Sequence, residues 1–445
     1  MCFAEAVEPA PAPASSTWRN LPGTGVALVG TAVAALTIAF GLIDEGTGGV
    51  LGATLAPFFA TFDVSVDPAA LIAIPALAIA LACSIPLLRG AGGTAAFLLG
   101  ALAIALVARL ALAAARDGVD GWYGVFGPSP EAGNEYLPAL PALHVLGLHE
   151  FLDRFAELSP TLPIHPSAHP PGTLLLLDAL GVDGARGMAA LVIGVGVLTV
   201  PLTYLLARRT SMAEQQCRAA TMLVAFSPSM ALYGVVSTDA MFGTFGLAAA
   251  CLLVGSGLPG RVAGAVALTV ASFFSWALLA VGVFAGIVVW IRDGFGSALR
   301  LGLVVAAIVL AAFLALYEAS GFDPLGAVRA AGDAYDLGIS NARPYLYWLF
   351  GSPVAFLVAL GLPTAWYAAR SLGTGNAVAA GLAVIVVASV LVGVTKAETE
   401  RIWQFMVPLA SVAAASLVPL RRMPLILGAL VVQALAASLL LETIW

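Results

Sequence analysis

All four histidines of this 445-residue chain, His144, His149, His165 and His169, fall within 26 residues. The last two sit among four prolines in PIHPSAHPPG, residues 163–172. Acids gather before them at Asp117, Asp120, Glu131 and Glu135, with Asp239 further along, and a second charged group follows at Arg343, Lys396, Glu398 and Arg401. These residue types suit transfer of a group from an anionic donor to a hydroxyl. A positioned carboxylate that takes the hydroxyl proton contributes roughly 10²–10⁴-fold. Arginine, lysine or protonated histidine stabilises a departing phosphate.

Other chemistries find less support. His144 and His149 are five apart, and there is no ExxH pairing. No metal site is expected, with a divalent ion on the acids kept as an open alternative. The four cysteines (Cys2, Cys83, Cys217, Cys251) show no CxxC and read as buried or lipid-facing thiols. There is no GxxxxGK[ST] and no room for a nucleotide-binding domain. No cofactor is expected, and nucleic acid is not expected as a partner.

The elements that must position these residues are membrane spans. The chain is 61% hydrophobic and 10% charged, with a mean hydropathy of +1.00, where a soluble domain carries about 25% charge. A spanning helix needs roughly 20 apolar residues, and thirteen such segments can be marked from 24–43 to 423–441. The expected fold is an all-α polytopic membrane protein. The pair 262–276 and 277–291, joined through SFFSWALL, is the least distinct: it reads as two spans with a tight turn or as one long helix. With the N-terminus inside, thirteen spans put 11 of the 19 basic residues on the cytoplasmic side. Arg109 falls within a span, and seven basic residues, Arg343, Lys396 and Arg401 among them, fall outside and need another reason to be there.

This threading divides the chain into a disordered cytoplasmic tail at 1–20, two extra N-terminal helices within 21–93, a module at 94–260 carrying an external loop at 115–184, and a C-terminal module at 261–445 with external segments at 318–345 and 395–401. The long loop is too apolar and aromatic for disorder. LPALHVLGLHEFLDRFAEL has the spacing of a helix lying in the membrane interface, and HPPGTLLLLDALG reads as a second short helix begun by proline. The link between the first two spans, with acids at Asp44, Glu45, Asp63 and Asp67, has no assigned role.

The order of motifs resembles the glycosyltransferase-C superfamily, in particular polyprenyl-phosphate-sugar transferases related to protein O-mannosyltransferases and the lipid A aminoarabinose transferase. An Arg-bearing span (Arg109) leads to NEYLPAL, then to HPPG and a helix ending in LARR, then to FSPSM and STDA. The resemblance covers roughly 94–260, and RPYLYWLFGSP and ETERIWQFMVPL resemble C-terminal parts of bacterial members. It implies an inverting transfer from a polyprenyl-phosphate sugar to an acceptor hydroxyl of a glycan, lipid or protein. The site would face outward from a bacterial plasma membrane, in contact with membrane lipids. Asn134 stands where the family pattern has Asp, and Glu135 where it has Glu. The base is therefore Glu135, then Asp120, then Asp117 in order of preference, with helix capping the competing role for Glu135. His169 and His165 would contact the donor phosphate, and Arg343, Lys396 and Arg401 would clamp it unless they form ion pairs with Asp336, Glu398 and Glu400. Asp239 is either a site carboxylate or a helix N-cap. Tyr136, with Trp122 and Tyr123, would stack on sugar or anchor the interface. A transporter or flippase, or a non-catalytic partner in glycan assembly, remains the alternative function.

Overall fold

The computed structural model describes residues 23–443 apart from 48 and 128; the tail expected at 1–20 lies outside the described residues. The protein is an all-α, multi-pass membrane protein. Among the described residues seven helices are long and apolar enough to cross a bilayer, and up to nine if each of two bent pairs counts as one span. The bent pairs are Glu214–Ala225 with Pro228–Val236 (51°) and Tyr345–Leu360 with Leu362–Leu372 (117°). Both breaks fall where the sequence supplies a reason. Pro228 and Pro363 cannot donate the next backbone hydrogen bond, and Gly361 adopts φ +107°.

Four further apolar helices among the described residues are shorter: Leu137–Leu146, within the long loop, and Asp239–Leu253, Leu258–Ser272 and Ala377–Val392. The SFFSWALL stretch separates two helices: Leu258–Ser272 ends there, a 3-10 turn spans Trp276–Leu279, and Ala280–Asp293 follows. The only strands among the described residues are Ala60–Phe62 and Leu441–Thr443, which pair antiparallel and tie the first interhelical link to the C-terminus.

Burial sorts the helices. Glu214–Ala225, Asp239–Leu253 and Val407–Ala415 are buried over most of their length. Their alanines and glycines let helix axes approach closely in an apolar solvent. By contrast Phe295–Ser320 buries only Leu301, Phe313 and Ser320 and presents the rest of its surface outward. The hydrophobic core is one continuous cluster running from Ala70 to Ala434, with a small satellite of Ile193, Tyr233, Val235 and Val236.

The long loop is ordered and helical in pieces. The stretch read as one interfacial helix is broken into Leu140–Leu146, Leu148–Asp153 and Phe155–Leu158. Gly147, at φ +77°, forms the first break. The periodicity is kept across the breaks: Leu143, Phe151, Leu152 and Phe155 are all buried. The second short helix forms at Gly172–Leu180, directly after the Pro170-Pro171 pair.

Candidate functional site

Glu135 follows a 3-10 turn, Glu131–Asn134, and its extended backbone carries the side chain inward. The residue is 2% exposed. Its Oε1 lies 3.7 Å from His165 Nε2, while Oε2 makes no hydrogen bond. His165 comes from the one-turn helix Ile164–Ala168, and its ring stacks on Tyr136 at a centroid distance of 6.5 Å. The Tyr136 side chain is fully buried and faces the hydroxyls of Thr173 and Thr238.

Asp239 opens the helix Asp239–Leu253. Its Oδ2 accepts from Ser237 Oγ at 2.8 Å and from Arg401 Nη1 at 2.7 Å. The Arg401 Nη2 donates to Glu398 Oε2 at 2.8 Å. Glu398 Oε1 in turn lies 3.5 Å from Arg343 Nη1. Four segments far apart in the chain, near 135, 165, 239 and 401, thus meet in one buried charged cluster.

Burial controls protonation here. It pushes the Glu135 carboxyl up to about 8, with Asp239 and Glu131 adding to the rise and Arg401 opposing it. An uncompensated carboxylate in a low-dielectric site holds its proton. Burial, with Arg401 acting in the same direction, lowers His169 to about 4, and His165 falls well below the usual imidazole range for the same reason. Both rings are therefore neutral near pH 7 and offer hydrogen bonds rather than charge. His169 is half-buried, and its ring sits 5.4 Å from that of Phe242.

The turn at 395–401 bears the cations. Lys396 Nζ donates to the carbonyls of Asn341 and Arg343, both at 3.0 Å. Arg343 Nη1 donates to the Lys396 carbonyl at 2.6 Å. These two residues lock the 338–343 segment to the turn. Arg343 Nε also reaches the Gly52 carbonyl at 3.2 Å, and its guanidinium lies over the Phe59 ring at 4.9 Å. Gly52, at φ +73°, is required here, because a Cβ would meet Arg343 Cγ at 2.9 Å. Glu400, 4% exposed, accepts from the Phe59 amide at 2.7 Å, and burial raises its carboxyl to about 7.

The link over 49–62, for which the sequence suggests no role, is therefore seated on the charged turn. Trp348 Nε1 holds it further, donating to the Leu51 carbonyl at 3.1 Å. Glu400, expected as an ion-pair partner of the cations, instead holds the Phe59 amide, and this link is the part of the site that sequence reasoning missed. The link carries no charge at the contact, so only its glycines hinted at a close approach.

Other candidates lie elsewhere. Asp117 and Asp120 are exposed. Asp117 sits 3.7 Å from Arg116, which also pairs with Asp63 at 3.0 Å. Asp120 lies on the side of Arg186, whose guanidinium stacks on Tyr123 at 4.9 Å. His144 pairs with Asp178 at 3.0 Å, and Arg154 with Glu150 and Glu157 along a helical surface. Trp122 packs edge-on against Tyr123. A cavity of about 490 Å³ beside Trp122 and Ile193, and another of about 530 Å³ beside Tyr123, Asp183 and Arg186, share no lining residue with the charged cluster. Among the described residues no three His, Cys, Asp or Glu side chains are grouped to hold a metal ion.

The arrangement offers a carboxylate with a pKa near physiological pH, a neutral imidazole beside it, and a chain of alternating acids and guanidiniums next to both. That set can accept a proton from a hydroxyl and neutralise an anion beside it. Compared with family models, with curated proteins and with solved structures, the chain finds no match in any of the three.

Proposed function

We propose that this protein is an inverting membrane glycosyltransferase that moves a sugar from a polyprenyl-phosphate donor to an acceptor hydroxyl. The observation that carries the reading is Glu135: a loop carboxylate that is buried, has an oxygen without a hydrogen bond, and is held at a pKa of about 8. A general base works best when its pKa lies near the operating pH. At pH 7 about a tenth of such a group is ionised and ready to accept a proton.

In this reading the acceptor hydroxyl attacks the anomeric carbon while its proton passes to Glu135. The bond from that carbon to the phosphate oxygen breaks, and polyprenyl phosphate leaves. Arg343, Lys396 and Arg401 supply positive charge for the phosphate, His169 and His165 supply hydrogen bonds from neutral rings, and Asp239 holds Arg401. Tyr136 and Glu398 shape the pocket. The acceptor is a glycan, lipid or protein, and no cofactor takes part. The chain crosses a bacterial plasma membrane thirteen times, the nine longer spans being joined by three of the shorter apolar helices and the segment 402–420. The site then faces outward beside membrane lipids, on the same side as the loop 115–184.

The test is a radiolabelled polyprenyl-phosphate-sugar transfer assay on purified protein, comparing wild type with Glu135→Gln. Transfer by the wild type and loss of about 10²-fold or more in the variant is expected. Full activity in the variant removes the base, and no transfer by the wild type with any donor removes the reaction. A lipid or solute transporter is the second reading. It is favoured by Arg109, 1% exposed within the span Thr94–Asp117, because ionisable groups at that depth commonly mark a transport path. Arg109 Nη2 donates to the Gly196 carbonyl at 3.2 Å, while Nη1 has no hydrogen bond.

A further inference from the structure

We infer that the Glu398 carboxylate is an internal placeholder in a phosphate-binding site formed by Arg343 and Arg401. The inference rests on the proposed function for the identity of the phosphate and deepens it: the site is occupied by its own chain until the lipid-linked anion displaces Glu398.

Three observations converge. The first is geometric. One carboxylate spans two guanidiniums, with Oε2 at 2.8 Å from Arg401 Nη2 and Oε1 at 3.5 Å from Arg343 Nη1. A phosphate presents pairs of oxygens at nearly the separation of the two carboxylate oxygens, so it can occupy the same bridge. It also brings a further oxygen, and a donor is waiting: Arg343 Nη2 is buried and makes no hydrogen bond. A carboxylate with two oxygens cannot serve that group while it bridges the other two. Leaving a buried charged donor unserved is costly, which is why it points to a missing acceptor.

The second is access. The Arg343 side chain is 1% exposed and that of Arg401 5%, while Glu398 is 18% exposed. Glu398 is the outermost member of the group, so an anion approaching the guanidiniums meets it first. Asp239 lies on the inner side of Arg401, bonded at 2.7 Å and itself held by Ser237. Displacement therefore removes Glu398 and leaves Asp239 in place.

The third is strain. Ala397 and Glu398 are two of only three non-glycine residues with positive φ among the described residues, at +70° and +61°. Consecutive left-handed residues that carry a Cβ are unfavourable and persist only where the surroundings impose them. The surroundings here are anchors on either side of the pair. Ser352 Oγ donates to the Thr395 carbonyl, Arg343 Nη1 to that of Lys396, and Ser229 Oγ to that of Glu400. Thr399 Oγ1 donates to the Ser352 carbonyl. The turn is pinned at 395, 396, 399 and 400 and strained at 397 and 398, so the bridging carboxylate is carried by a residue whose backbone the anchors hold in place.

The experiment measures binding of farnesyl phosphate, and separately of inorganic phosphate, to the full-length protein in detergent by calorimetry. Glu398→Gln should bind farnesyl phosphate about tenfold more tightly than wild type, because the competing charge is gone while the shape is kept. Adding Arg343→Gln should abolish that gain. A matching gain for inorganic phosphate shows that the site reads phosphate alone; a gain confined to farnesyl phosphate shows that the prenyl chain is needed to enter. Both support the placeholder. Equal or weaker binding by Glu398→Gln overturns it.

A second measurement needs no variant: hydrogen exchange of the 395–401 turn in wild type. Saturating farnesyl phosphate should change exchange at 397–399, and binding that leaves those amides unaltered also overturns the placeholder. Both readouts are independent of sugar transfer, so a protein that binds phosphate in this way yet transfers no sugar counts against the proposed reaction and not against the site.

Discussion

Arg401 and Asp239, 162 positions apart in sequence, share a 2.7 Å buried hydrogen-bonded ion pair that joins the head of one core helix to the charged turn. Removing Arg401 leaves the buried Asp239 charge without its counter-ion, at a cost of about 3–5 kcal/mol, whereas removing Asp239 leaves Arg401 still bonded to Glu398. Arg401→Gln should lower the melting temperature in detergent sharply, and Asp239→Asn by less. The double variant should be less destabilised than the two single effects added, since neither charge is then stranded. Additive losses would show that the pair is not coupled.

Stability should also depend on pH in a defined direction. Burial raises Glu135 from 4.5 to about 8 and Glu400 from 4.5 to about 7. A carboxyl whose folded pKa is raised favours the folded state fully below its unfolded value, and that contribution is lost as pH rises through the folded pKa. Below about pH 6.5 the lowered His165 and His169 oppose this loss, so thermal stability should decline mainly from about pH 6.5 through pH 7–8. Glu135→Gln and Glu400→Gln should each flatten the decline when melting is followed across that window.

The pH profile of transfer runs the opposite way, because the base must be ionised. Activity should rise about tenfold per unit on the acid side and level off near pH 8. Glu135→Asp moves the carboxyl back from the acceptor and should lower turnover while keeping a rising limb. An activity limb indifferent to the residue at 135 assigns the base elsewhere.

Three first-loop acids compete for that role on sequence grounds, and their positions separate them. Asp117 and Asp120 are exposed, while Glu135 is 2% exposed. Asp117→Asn and Asp120→Asn should each leave transfer within about threefold of wild type, as exposed charges contribute little to a distant site. A loss of about 10² or more in either variant would reassign the base to it.

The N-terminal link should matter although it holds none of the charged groups. Gly52→Ala imposes a left-handed alanine, costing about 1–2 kcal/mol, and drives a Cβ to 2.9 Å from Arg343 Cγ. Lower melting temperature together with weaker farnesyl phosphate binding is expected. Loss of stability with binding unaltered would mean that the link does not position Arg343.

Much of this architecture was legible from composition. A chain that is 61% apolar with isolated charges has few options besides spanning helices, because backbone polar groups in lipid must be satisfied within the segment. The short helix after Pro171 and the buried Leu143 and Phe155 followed from local rules as well, since proline geometry and side-chain spacing act over a few residues. Gly147 broke the expected interfacial helix because left-handed backbone at one residue is decided by how the chain must turn, which periodicity does not encode.

The sequence by itself also determined which residue types were available for chemistry: the clustered histidines, the loop acids, and the cations stranded between spans. Only the tertiary structure decided how they combine. It buried Glu135 and left Asp117 and Asp120 outside, although all three are carboxylates of one loop. It joined Asp239 to Arg401 and turned Arg343 and Lys396 into braces as well as cations. It also seated the link on Glu400 through the backbone amide of Phe59, a donor that every residue except proline carries and that no sequence pattern marks. The physical reason is the same in each case. Protonation and ion pairing are set by burial and by neighbours from distant segments, and those distances exist only once the helices have packed.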